Sequence, residues 1–187
     1  ININEGSVKS TIAFYNCGTV GQNEIDHCVG VNNYDDMVIP EMEFTSNDRM
    51  VAFGDTKAVI FEGAQKPQAI AEIPMDEKTK SIFYNEHYIG IVTGNEDEAV
   101  TNHLAVYDEN GKLVMEKDFG LDYSSIEFLT NNEICIRNAN VCDIYTVHGV
   151  YKFHHEFEEE LFEIIPGKLK LNYTLVLKDT TQRIRLK

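Results

Sequence analysis

The stretches MEFTSNDRMVAF, IFYNEHYIGIV and IEFLTNNEICIR begin at Met42, Ile82 and Ile126. Each opens on an apolar run, breaks at a polar turn of Asn, Asp or Glu, and resumes as a second apolar run. A fainter copy, IIPGKLKLNYTLVLK, begins at Ile164, and the offsets between starts are 40, 44 and 38 residues. Self-similarity at such a period constrains a fold more tightly than composition does. Each copy must be one supersecondary unit that buries its apolar surface against its neighbours.

A second ladder falls between these copies. AVIFEGAQKPQAIAEI, LAVYDENGKLVMEKDF and CDIYTVHGVYKFHHEF each hold an apolar run ending in an aromatic, then a turn, then another strand-like run. The aromatics are Phe61, Tyr107 and Tyr145, which lie 19, 25 and 19 residues after their copy's first residue. The excess in the middle copy falls in the polar segment GNEDEAVTN, where a repeat unit tolerates insertion. Val, Ile, Phe and Tyr dominate the runs, and Gly, Asn and Asp punctuate them, which is the pattern of short antiparallel strands. One segment, HHEFEEELFEIIP, spaces Phe157, Leu161 and Ile164 by four and three and is compatible with a single helical turn.

A four-stranded antiparallel unit of this length cannot bury both faces alone, whereas stacked sheets can. The expected fold is therefore all-β, a β-propeller-like array of about four four-stranded antiparallel blades. The 187 residues read as a single propeller-like domain, with repeat units 42–81, 82–125, 126–163 and 164–187. Residues 1–41 supply the end strands of an earlier blade, STIAFYN and IDHCVGV, and the last copy stops after its third strand, QRIRLK. Two arrangements satisfy this count. The N-terminal strands complete the C-terminal sheet, or the chain is the C-terminal part of a larger propeller. A first residue that is not Met and a mid-blade start favour the second. Open strand edges would then pair with the missing part or with another chain.

The net charge of -15, from 31 acids and 16 bases, excludes a nucleic-acid binder, which needs clustered Lys and Arg against phosphate. It also disfavours contact with an anionic membrane surface, and no apolar run approaches the ~20 residues of a membrane span. There is no Trp, so no Trp-Asp signature, and no Gly-Gly pair of the kelch type. The turn YDENGK, the strand GVYKFHHEF after CDIYTVH, and the ending RIRLK resemble an uncharacterised bacterial family of membrane-anchored β-propeller-like domains, a domain of unknown function. The resemblance covers roughly Met42 to Lys187. It implies a short cytoplasmic N-terminus, one membrane helix and an extracytoplasmic propeller, and it brings no catalytic residues.

No nucleophile elbow, phosphate-binding loop or zinc-protease sequence is present, and no cofactor is expected. DENG at 108–111 lacks the downstream ligands of a calcium loop and reads as a turn. His154 and Glu156 would share a strand face, but one strand end does not supply the converging ligands of a metal site. Asn172-Tyr173-Thr174 matches a glycosylation sequon at an expected strand start. The four cysteines form no C-x-x-C pair. Cys135 and Cys142 flank the turn RNAN and face each other either as a cross-strand disulfide or as two buried thiols, while Cys17 and Cys28 carry no such signal.

In a propeller, the loops that lead into each first strand and those joining second to third strands open on one face. Asp35, Asp36, Asp76, Glu77, Asp122 and Glu158 to Glu160 fall in the first set, and Glu96, Asp97 and Glu98 in the second. The binding candidates on this acidic rim are Asp36, Asp76, Glu96, Asp97 and Asp122. They would focus negative potential on a cationic ligand or a basic segment of a protein partner. The leading expectation is a non-enzymatic binding or scaffold module displayed outside the cytoplasmic membrane. The alternative is a carboxylate-dependent, glycosidase-like hydrolase using two acids of that rim.

Overall fold

The structure is a computed structural model that describes residues 41–45, 49–63, 68–94 and 102–186. None of these residues is helical. Fifteen strands run in chain order: β1 Glu41–Thr45, β2 Arg49–Phe53, β3 Lys57–Glu62, β4 Gln68–Pro74, β5 Thr79–Tyr84, β6 Tyr88–Gly94, β7 Asn102–Asp108, β8 Leu113–Phe119, β9 Ser125–Phe128, β10 Glu133–Asn138, β11 Val141–Thr146, β12 Tyr151–Glu156, β13 Leu161–Pro166, β14 Asn172–Leu177 and β15 Thr181–Arg185. They form sheets β1-β2-β3-β4, β5-β6-β7-β8, β9-β10-β11-β12 and β13-β14-β15, each an antiparallel meander without crossovers. The starts expected at Met42, Ile82, Ile126 and Ile164 each lie in the first strand of a sheet. Among the described residues the fourth sheet has three strands. The all-β, propeller-like expectation holds.

The chain forms two compact units. One holds the first sheet with Glu109–Lys112. Within it, Val51 to Phe53 and Ala58 to Phe61 expose at most 2% of their surface, so β2 and β3 are buried on both faces. The other unit holds Lys78–Asp108 and Leu113–Lys187, and its three sheets stack face to face. β10 shows how. Ile134 and Ile136 pack with Val92, Leu104 and Val106 of the second sheet. Cys135, between them, points the other way and packs with Ile164 and Leu175 of the fourth. Alternating side chains therefore serve two cores, and the middle strands read as unbroken apolar runs. Among the described residues β14 packs against a core by one face, and its burial alternates strictly. Arg137 adds a polar tie, donating to the carbonyls of Leu161 (3.4 Å) and Phe162. The first strands β5 and β9 also run beside each other.

The repeating aromatics mark a repeating irregularity. The pairing of third and fourth strands shifts register at Ile60/Phe61, Val106/Tyr107 and Ile144/Tyr145. Each bulge adds a residue and increases local twist at the same blade position. The turn that follows carries a glycine in the left-handed region in every case: Gly63 (φ 98), Gly111 (φ 74) and Gly149 (φ 78).

The compatible helical turn in HHEFEEELFEIIP is not formed. His154 and Glu156 lie in β12, opposite Asp143 and Val141, and Leu161 begins β13. Phe157 and Leu161 reach one core from the two ends of a short loop, so their spacing of four reflects the loop and not a helix. Cys135 and Cys142 are free, buried thiols whose Sγ atoms lie 3.7 Å apart. Cys135 is paired with Ile144 and Cys142 with Arg137, so the two sit diagonally rather than opposite each other. The hydrogen bond with Cys135, followed by burial, pushes the Cys142 thiol far above its ordinary range. The thiolate is the reactive form. Alkylation by iodoacetamide at pH 8, followed by peptide mapping, should therefore modify both residues about a hundredfold more slowly in native protein than in urea. Equal rates would contradict their burial.

Gly90 is opposite Phe83 in the second sheet, and a β-carbon there would lie 2.2 Å from the Phe83 ring. That ring is held from the other side by Phe128, with centroids 4.6 Å apart. Gly90→Ala should cost about 2 kcal/mol, because the ring cannot retreat without disturbing the core. The urea midpoint measured by circular dichroism reads this loss.

Candidate binding cavity

At the end of β9 the chain turns through Leu129–Asn132 into β10, closed by hydrogen bonds from Leu129 N to Glu133 O (2.7 Å) and Asn132 N to Leu129 O (2.8 Å). Asn132 adopts φ 62, a conformation Asn accepts readily. Its side-chain oxygen accepts a 2.8 Å bond from Asn85, whose own oxygen caps the turn between β5 and β6 through His87 N and Tyr88 N, both at 2.9 Å. These turns form one rigid end of the three-sheet stack.

The loop between β13 and β14 reaches the same end. Gly167 N donates to Asn172 O (2.7 Å), Asn172 N to Leu169 O (3.2 Å), and Leu186 N to Leu171 O (2.8 Å). Leu171 is left at φ 67, which is unfavourable for a leucine and is held there by packing against the core between the third and fourth sheets. A cavity of about 480 Å³ opens between this loop and the third sheet. It is lined by Asn131, Glu133, Lys152 and the segment Gly167 to Asn172.

Glu133, 7% exposed, forms the floor. Its carboxylate accepts from the Lys152 ammonium on one oxygen and from the Tyr173 hydroxyl on the other. Its backbone N–H donates to Asn131 Oδ1 at 3.2 Å. Burial alone would raise the Glu133 carboxyl. The hydrogen bonds from Lys152, Tyr173 and Asn131 and the Lys152 charge outweigh it, so the group is held below the usual glutamate range. Burial, then the bond to Glu133, pushes the Tyr173 hydroxyl up. Glu133 is therefore an ionised acceptor with both oxygens engaged. A general acid would need its pKa raised instead.

Of the five acidic-rim residues, Asp76 and Asp122 are exposed, in the loops before β5 and β9. Asp36, Glu96 and Asp97 lie outside the described residues, as do Cys17 and Cys28. Neither Asp76 nor Asp122 lines the cavity, and Asp122 precedes β9 whereas the cavity lies beyond its far end. His154 Nδ1 pairs with Asp143 Oδ1 at 2.7 Å, and among the described residues no group of three or more His, Cys, Asp or Glu converges on a point. The cavity was missed in the sequence. Its available signal was PGKLKLN, two lysines around a leucine in an acidic chain.

Successive antiparallel sheets that stack face to face define a β-propeller-like module. Residues 1–186 match the model of the family of unknown function DUF5711, and the chain belongs to that family. Comparison with curated proteins gives no match. Among solved structures, the chain is similar to the WD40 domain of SCAP from fission yeast, with 9% identity and a TM-score of 0.50 over 81% of this chain and 43% of that one. It is also similar to a eukaryotic initiation factor, with 11% identity and a TM-score of 0.52 over 79% of this chain and 41% of that one. The chain thus spans less than half the length of either, and at such identities the likeness is one of fold.

Proposed function

We propose that this chain is a propeller-like binding or scaffold module that presents a broad surface to a protein partner. The observation that carries the reading is β13. It buries Leu161 and Ile164 but leaves Phe162 49% and Ile165 41% exposed. Ile165 is in register with Thr174 and Arg183, so these three share the sheet face opposite the core. An aromatic and an aliphatic side chain beside an arginine suit the composition of a protein interface. Among the described residues β15 has no strand beyond it, and this edge, with Gln182, Arg183 and Arg185 exposed, suits strand addition from the same partner. A photo-crosslinking residue placed at Phe162 or Ile165 in the producing cell should give one discrete protein adduct, and the same residue at exposed Glu116 should give none. No adduct, or the same adduct at all three positions, rejects this surface.

The resemblance to membrane-anchored propellers supports display of the module outside the cytoplasmic membrane. Protease added to intact cells should then digest the domain in the parent protein, and full protection would reject that location. Asp76 in one unit and Asp122 in the other are exposed, and each by itself is a candidate contact for a cationic segment of the partner.

A further inference from the structure

We propose that the cavity between the third and fourth sheets binds a small organic anion, with its charged group between Lys168 and Lys170 and its apolar body against Leu169 and Leu171. This site is separate from the β13 surface.

Charge gives the first argument. The chain as a whole carries almost two acids for every base, 31 against 16. The cavity lining reverses that ratio, with Lys152, Lys168 and Lys170 against Glu133. Lys152 is already neutralised by Glu133. Lys168 and Lys170 form no ion pair among the described residues and stand exposed at the rim. The local excess of two positive charges thus sits at the mouth, and the one negative charge sits on the floor. An anionic ligand is consequently oriented, with its charge outward and away from Glu133.

Size and surface give the second. A water molecule occupies about 30 Å³, and small-molecule sites run from about 300 to 1,000 Å³. At about 480 Å³ the cavity exceeds what a bare inorganic ion needs. Leu169 is 74% exposed beside it, an uncommon place for the most exposed large hydrophobic residue of the described chain. Leu171 keeps its left-handed backbone there. Strained conformations of this kind persist where the surroundings over-determine them, often at ligand clamps.

The probes are 1-anilinonaphthalene-8-sulfonate, an apolar body with a fixed anionic group, and N-phenyl-1-naphthylamine, its uncharged counterpart. Native protein should enhance sulfonate fluorescence saturably at one site. Lys168→Gln/Lys170→Gln should weaken that binding about tenfold or more and leave the uncharged probe unchanged. Lys78→Gln/Lys178→Gln makes the same change in net charge at the strand ends remote from the cavity, before β5 and after β14, and should have no effect. Both pairs are exposed, and circular dichroism verifies the fold of each variant. Hexanoate or hexyl phosphate should displace the sulfonate, the stronger of the two identifying the anionic group, and hexylamine should not. Unsaturable binding, equal loss in both double variants, or displacement by hexylamine would overturn the assignment. A failed crosslink at Phe162 would leave these results intact, so the two readings fall separately.

Discussion

Glu133→Ala should destabilise the protein by about 3 kcal/mol, the cost of removing one partner from a buried pair. Three donors converge on that carboxyl end: the Lys152 ammonium, the Tyr173 hydroxyl and the Asn131 side chain. Truncation leaves a largely buried ammonium and a fully buried hydroxyl without an acceptor, on strands from two sheets. For a chain of this size the loss corresponds to a fall in Tm of about 6 to 12 °C. Glu133→Gln keeps the shape and one carbonyl acceptor and should cost less. It also isolates the charge. The native carboxyl is held below its ordinary range, so its contribution is present above the unfolded value, about pH 4.3, and is lost as pH falls through the native value. The stability gap between wild type and Glu133→Gln should therefore narrow as pH falls below about 5. A gap independent of pH would show that the carboxylate is not the stabilising species.

This interaction also marks where sequence reasoning stops. Phe61, Tyr107 and Tyr145 could be aligned because each blade needs the same bulge at the same place, and the physical requirement recurs in the chain. Gly111 was legible for a similar reason, since the turn of a hairpin demands a positive φ and glycine adopts it at least cost. Glu133 and Tyr173 are 40 residues apart and belong to different copies, and no periodicity links an acid in one to a phenol in another. The cavity brings Asn131, Lys152 and Lys168 together by the stacking of sheets, and the loop that closes it departs from the repeat. The acidic rim was built on loop order alone, which assigns residues to an end of a sheet but not to a common site. The helical spacing at Phe157, Leu161 and Ile164 misled because a core can be reached from both sides of a loop as well as from one face of a helix.

Leu175→Ala should be the most damaging single truncation in the fourth sheet, at about 3 to 4 kcal/mol. Leu175 is 1% exposed and packs in one cluster with Cys135, Cys142, Ile144 and Ile164. Its methyl groups fill the space between the third and fourth sheets, and the backbone of β14 is fixed on both sides by β13 and β15, so the gap closes poorly. Ile165→Ala removes a comparable aliphatic group from the neighbouring register row, on the opposite face, and should cost less than about 1 kcal/mol. Circular dichroism in urea measures both, since the chain has no Trp to report by fluorescence. The contrast is the informative quantity. If the sheet stacks on its neighbour by one face, the Leu175 variant loses several times more stability than the Ile165 variant with little change in the denaturant slope. Similar losses at the two positions would mean that both faces of the fourth sheet are equally buried, and the exposed face invoked for a protein partner would not exist.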